Sequence, residues 1–185
     1  MFSSEDMIKE WELLDLQIDK DYKVFQIKTR TARSPRTNKV GTFYTIDSHD
    51  WVNVIPVTSA DEIVMIKQYR HGSEEVTLEI PGGLVEEKDV KTAALRELLE
   101  ETGYSGNSVA HIGSTNPNPA IFSNLCHTYL VENAKKVADT NLDADEDIDV
   151  VLVPLIEIPS LIKTGIISHA LVIVAFQYYF LHRQQ

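Results

Sequence analysis

Cysteine is nearly absent: Cys126 is the only one in 185 residues. Neither an internal disulfide framework nor a thiolate-rich zinc site can be built from this chain alone, and a reducing, cytoplasmic setting is expected. Positive charge is also scarce, with 17 Lys and Arg against 28 Asp and Glu and a formal net charge of -11. Such a molecule repels nucleic acid and anionic lipid as a whole, so neither is expected as a partner. A polyanionic substrate could approach only if something cationic were supplied locally, and a metal ion held by clustered carboxylates would supply it. No long hydrophobic run is present. The longest apolar stretch, residues 166–181, is broken by Ser168, His169 and Gln177 and falls short of the roughly 20 residues that a bilayer span needs. It reads instead as a buried helix. The opening Met-Phe-Ser-Ser-Glu-Asp places acids where a secretory signal carries basic residues, so export is not expected.

Hydrophobic residues make up 43% of the chain and charged ones 24%, the usage of a soluble globular protein. The length suits one domain with at most a small appendage. From Trp11 to about Tyr44 apolar and polar residues alternate around a turn-like Ser34-Pro35-Arg36-Thr37-Asn38, which predicts a small antiparallel unit over residues 1–45. Short strand-like runs follow at 51–57, 63–69, 76–80, 109–114, 125–131 and 150–153. A strong helix is predicted from Asp89 as N-cap to Thr102, stopped by Gly103. Two more are predicted, a short one after Pro154 and a longer one over 168–182. Strands mixed with a few helices predict a layered α/β domain over 46–185.

The chemistry concentrates on the first helix. At about 100° per residue, Glu97, Glu100 and Glu101 fall within one arc, with Leu95, Leu98 and Leu99 on the opposite side. Two readings stand here: the solvated face of an amphipathic helix, or three carboxylates converging on a cation. Like charges at i, i+3 and i+4 repel, and Gly82-Gly83 upstream could turn backbone carbonyls toward a ligand. Hard oxygen ligands of this kind suit Mg²⁺ or Mn²⁺ rather than zinc.

Pro81-Gly82-Gly83-Leu84-Val85-Glu86-Glu87, continuing to Ala93-Ala94-Leu95-Arg96-Glu97-Leu98-Leu99-Glu100-Glu101-Thr102-Gly103-Tyr104, resembles the signature of the Nudix hydrolases. The family pattern ends in Arg-Glu, an aliphatic residue, any residue, Glu-Glu, any residue, Gly and an aliphatic or aromatic residue, and each of those positions is matched. The resemblance implies an α/β/α sandwich with a mixed sheet. It also implies divalent metal held by Glu97, Glu100, Glu101 and the Gly82 carbonyl, and hydrolysis of a nucleoside diphosphate linked to another moiety. The front half departs from the pattern. Counting back from Arg96 puts Gly82 at the first glycine but Lys88 where the family has Glu, so either the loop is one residue shorter or the acid is replaced. Altered loop geometry with retained activity is expected.

The similarity extends over residues 51–185. Val64-Met65-Ile66-Lys67-Gln68-Tyr69-Arg70 and Leu78-Glu79-Ile80-Pro81 look like the strands preceding the signature in the ADP-ribose pyrophosphatase branch, and Glu79 is expected at the substrate. Arg70 could meet a substrate phosphate in bidentate fashion, though an Arg after a strand is as often a surface salt-bridge partner. The acidic run Asp145-Glu146-Asp147-Ile148-Asp149-Val150 resembles that branch's acidic loop, with Glu146 as its general base or a further metal ligand. Acid-rich loops are also often only solvated. Trp51 and Trp11 could stack on a base or simply pack. A homodimer through the N-terminal unit is implied as well. The expected substrate is ADP-ribose; another sugar nucleotide such as GDP-mannose, or NADH, is the alternative, and a nucleotide-binding sensor module is the non-enzyme alternative. Elsewhere the chain is less telling. Its histidines show no pair at metal-ligand helical spacing, no Gly-x-Ser-x-Gly elbow or phosphate loop occurs, and Cys126 and His127 as strand neighbours would point to opposite faces.

Overall fold

The computed structural model describes residues 8–144 and 146–184. The chain divides into two compact units, one reaching to His49 and including Asn116–Asn124, the other built from Asp50–Thr115 and the residues from Leu125 onward.

The first unit is an antiparallel three-stranded sheet, β1 (Glu12–Asp21), β2 (Phe25–Arg33) and β3 (Val40–Ser48), with β2 in the middle. The predicted turn joins β2 to β3: Asn38 N–H bonds the Ser34 carbonyl at 2.9 Å, and Asn38 takes the left-handed φ of 56° that its short polar side chain tolerates. Every residue of edge strand β1 is exposed, Leu14, Leu16 and Ile18 among them.

The second unit is a seven-stranded mixed sheet. Its main path is β12 (Ile148–Pro154), β5 (Glu62–Arg70), β4 (Trp51–Val57), β10 (Cys126–Glu132), β9 (Ser108–Thr115), with β6 (Glu75–Glu79) on β5 and β7 (Gly82–Leu84) on β4. Only β4 and β10 are parallel among these pairs. A minor pair, β8 (Tyr104–Ser105) and β11 (Lys135–Lys136), lies apart. The period-2 alternation of a strand sends β4 into two cores. Val52 and Val54 pack with Ala93, Ala94 and Leu98 of helix α1 (Val90–Thr102). Ile55 and Val57 pack with Val172, Ala175, Phe176 and Tyr179 of helix α3 (Ala170–His182). The result is helix, sheet, helix. A 3₁₀ turn (Leu155–Glu157) and a short helix α2 (Ile158–Lys163) follow β12.

Helix α1 ends as its sequence predicts. Asp89 caps the N-terminus by accepting from Thr92 N–H, and Gly103, at φ 71°, closes the C-terminus by donating to the Leu99 carbonyl. Helix α3 starts two residues later than predicted, because Ser168 lies outside it and His169 is the extended N-cap. Among the described residues no helix is long and apolar enough to cross a membrane.

Candidate active site

The buried stripe of α1 consists of Ala93, Ala94, Glu97, Leu98, Glu101 and Thr102. Two alanines let the helix come close to the sheet, and two glutamates follow them inward. Glu97 and Glu101 are 8% and 3% exposed, while Leu99, expected on the apolar side, is 40% exposed. A solvated carboxylate face is therefore excluded for Glu97 and Glu101. The helix is rolled so that its acids, not all of its leucines, meet the sheet; Glu100 stays half-exposed.

What they meet is β7. Gly82 and Gly83 belong to this strand, and residues 85–89 separate it from the helix, so the glycines do not run directly into α1. Neither has a positive φ. Their role is close approach: a Cβ on Gly82 would stand 2.3 Å from the Val52 carbonyl oxygen, and one on Gly83 would stand 2.3 Å from Glu97 Oε1. The Gly82 N–H donates to Glu101 Oε2 at 2.9 Å.

Arg96 ties the site together. Its Nε donates to Glu87 Oε1 at 2.5 Å, Nη1 to Glu100 Oε2 at 2.8 Å and Nη2 to the Leu84 carbonyl at 3.3 Å, with Glu97 Oε1 3.0 Å from Nη2. Glu87, one position before Lys88, is the acid of this loop that pairs with Arg96. The hydrogen bond to Glu87 comes first among the causes that raise Arg96 further above its already high pKa. The same bond lowers that of Glu87.

Negative charge here is only partly compensated. Burial pushes Glu101 up to about 8, with Glu97 and Glu146 adding repulsion against the Gly82 N–H and Arg70. Glu97 is raised too, first by burial, then by Glu100 and Glu146, against Arg96. Glu146 therefore lies close enough to Glu97 and Glu101 to be felt electrostatically, and its own Oε2 accepts from Asp143 N–H at 3.1 Å. Its neighbour Asp145 lies outside the described residues. Carboxylate oxygens that raise one another's pKa are the donor chemistry a hard divalent cation fits. Among the described residues no three His, Cys, Asp or Glu side chains are gathered around one point; Arg96 and Gly82 N–H hold the carboxylates instead.

Beside β7 opens a cavity of about 340 Å³, lined by Trp51, Arg70, Glu79, Gly82 and Gly83 among others. Arg70 grips Glu79 in bidentate fashion at 2.7 and 2.8 Å, and Thr77 Oγ1 donates to the same carboxylate at 2.6 Å. Burial opposes ionisation of Glu79, but the bonds from Arg70 and Thr77 outweigh it and its pKa is lowered. Trp51 opens β4 opposite Leu84 on one side and Cys126 on the other. Trp11 packs edge-on against Phe43 in the first unit. Cys126 and His169 also line the cavity, and sequence reasoning missed both. Burial pushes the Cys126 thiol up to about 12, so it serves as wall and not as nucleophile. Its neighbour His127 bonds Ser114 Oγ at 2.7 Å and Asp50 at 3.3 Å.

A sequence profile of the NUDIX domain matches residues 47–175. The chain belongs to the Nudix family. Relatives include the methanol dehydrogenase activator of Bacillus methanolicus, 36% identical over 129 residues, covering 69% of this chain and 70% of the relative. The ADP-ribose pyrophosphatase of Bacillus subtilis is 33% identical over 129 residues with the same coverage. The crystal structure of an ADP compounds hydrolase superposes with a TM-score of 0.84, over 96% of this chain and 97% of that one, at 19% identity. The fold is therefore shared with that structure nearly end to end. Nudix hydrolases are generally dependent on a divalent metal.

Proposed function

We propose that this Nudix pyrophosphohydrolase, with bound Mg²⁺ or Mn²⁺, hydrolyses the pyrophosphate of a nucleoside diphosphate linked to another moiety, with ADP-ribose and water giving AMP and ribose 5-phosphate. The observation that carries the reading is the buried pair Glu97 and Glu101, joined to the glycine strand beside a cavity with an arginine on its wall. Kinship with the Bacillus subtilis ADP-ribose pyrophosphatase favours the substrate.

Glu97, Glu100, Glu101 and the Gly82 carbonyl would hold the metal, which when bound neutralises phosphate charge and makes a water acidic enough to attack. Arg70, charged and half-exposed, offers N–H groups to a phosphate oxygen, and Glu79 fixes the direction in which they point. Trp51 presents its ring to the substrate. Glu146 accepts the proton of the attacking water as general base. Glu101, whose proton burial retains in the metal-free protein, would release it on holding the metal, and Arg96 keeps Glu100 and Glu97 in place beside it.

A panel of ADP-ribose, GDP-mannose and NADH with millimolar Mg²⁺ or Mn²⁺, with products identified, tests the reading. Turnover of GDP-mannose or NADH but not ADP-ribose rejects the substrate and keeps the reaction; inactivity on the whole panel rejects the enzyme in favour of a nucleotide-binding module. Residues 1–45 act as a dimerisation element, since the sheet leaves Leu14, Leu16 and Ile18 of its edge strand exposed and is too small to bury them itself. Light scattering at micromolar concentration is expected to give the mass of two chains. A monomer mass removes the proposed assembly.

A further inference from the structure

Four buried side-chain atoms among the described residues have no protein hydrogen-bond partner, and two of them, Asn53 Oδ1 and His169 Nδ1, belong to residues lining the cavity beside the glycine strand. Leaving such an atom buried and unpaired costs about 1–3 kcal/mol, and native proteins retain that cost mainly where function needs it. Neither residue earns it back structurally. His169 stands at the N-cap of α3, where Ser, Thr, Asp or Asn would bond the first turn, yet its side chain makes no capping bond. Asn53, 7% exposed and opposite Gly82 in the sheet, has one side-chain bond, from Nδ2 to the Leu171 carbonyl at a long 3.4 Å. Both groups are thus held at the cavity by weak ties that can be exchanged for a ligand's.

The chemistry of that ligand follows from the two atoms. An amide oxygen only accepts, so a phosphate oxygen cannot satisfy Asn53; a donor is required. An imidazole nitrogen accepts or donates according to tautomer. A hydroxyl can do both, and neighbouring hydroxyls on one ring can serve both residues. Val52, Ile80, Leu171 and Val172 supply the apolar wall that the C–H face of such a ring would cover. We infer that Asn53 and His169 form the recognition site for a sugar ring of the substrate, with Asn53 Oδ1 accepting from one ring hydroxyl and the His169 imidazole engaging its neighbour. This deepens the proposed hydrolysis and rests on it. Because neither orphan atom is open to solvent, engagement turns the His169 ring about its Cβ–Cγ bond, where no capping bond has to break, and turns the Asn53 amide, which gives up only its long bond to the Leu171 carbonyl.

NMR of protein carrying isotope-labelled histidine tests this, with the His169 ring signal assigned by its loss in His169→Phe. Ribose 5-phosphate, AMP and inorganic pyrophosphate are titrated separately. The expected result is a saturable shift of the His169 signal with ribose 5-phosphate or with AMP, whichever ribose fills the site, and none with pyrophosphate. His169→Phe and Asn53→Leu, each confirmed folded by its melting curve, should weaken binding of that sugar phosphate about tenfold or more, as expected when a hydroxyl loses its buried partner. A silent His169 signal with both sugar phosphates overturns the inference, and so does an equal shift with pyrophosphate. If the substrate panel shows no turnover while the ring still responds, the hydrolysis fails and the sugar site stands. Turnover with a silent ring is the reverse.

Discussion

Gly82 and Gly83 are neighbours in one strand, yet an added methyl group would meet different obstacles at each. At Gly82 it meets the Val52 carbonyl oxygen at 2.3 Å, a backbone atom locked in the sheet; at Gly83 it meets Glu97 Oε1 at 2.3 Å, the end of a side chain. Backbone cannot yield without opening the β4–β7 pairing, so Gly82→Ala should lose about 1–3 kcal/mol of stability, in the range of overpacking. A carboxylate can swing away. Gly83→Ala should therefore melt close to the wild type while kcat/KM falls by about a hundredfold, because the displaced group is a proposed metal ligand. Melting curves beside an activity assay separate the two, and a fully active Gly83→Ala protein would remove Glu97 from the site. Residues of this sort differ in how far the sequence exposes them. Glu97, Glu100 and Glu101 are legible because helical geometry alone sets them on one face. The burial of Glu97 and Glu101 but not Glu100 is not, since it depends on how α1 rolls onto the sheet. His169 was invisible for a related reason: its position beside the cavity is produced by a long-range contact of α3 with β4, which no local spacing encodes.

The loop between β7 and α1 is held as an element by one side chain. Arg96 reaches backward to Glu87 and to the Leu84 carbonyl while holding Glu97 and Glu100 on its own helix. Glu87→Gln and Arg96→Lys break the same fork, since an ammonium cannot reproduce the planar bidentate geometry. Each should lower kcat/KM by about tenfold. The double variant should be little worse than the poorer single one, with a coupling of about 0.5–3 kcal/mol for groups in one network. Strict additivity in that four-protein cycle would mean that Glu87 has no functional link to Arg96. The boundaries of α1 and of most strands could be read beforehand because caps and alternation are local chemistry: Asp89, Gly103 and the period of β4 act within a few residues. The Glu87 pairing could not, because pattern spacing counts residues along the chain and the loop fold decides which acid arrives.

At the scale of the molecule, 28 acids against 17 bases mean that folding gathers negative charge, and the helix glutamates take that gathering furthest. Burial first, then Glu97 and Glu146, raise the Glu101 pKa from its ordinary 4.5 to about 8. The metal-free folded protein consequently binds a proton there that the unfolded chain has released. Stability associated with this group is complete below pH 4.5 and is lost as the pH rises toward 8. Metal-free melts should show a falling midpoint across that window. Glu101→Gln, which keeps the shape without the charge, should flatten this slope and at pH 8 should be more stable than the wild type by about 1 kcal/mol, the size typical when functional strain is removed. Added Mg²⁺ should stabilise the wild type by mass action and the variant less. Activity of the variant should drop by orders of magnitude, because the charge that holds the metal is gone. A merely buried, non-functional glutamate would share the pH slope but not the loss of activity or of the Mg²⁺ response. An active Glu101→Gln enzyme that Mg²⁺ still stabilises fully would therefore separate strain from function at this residue and overturn the metal assignment.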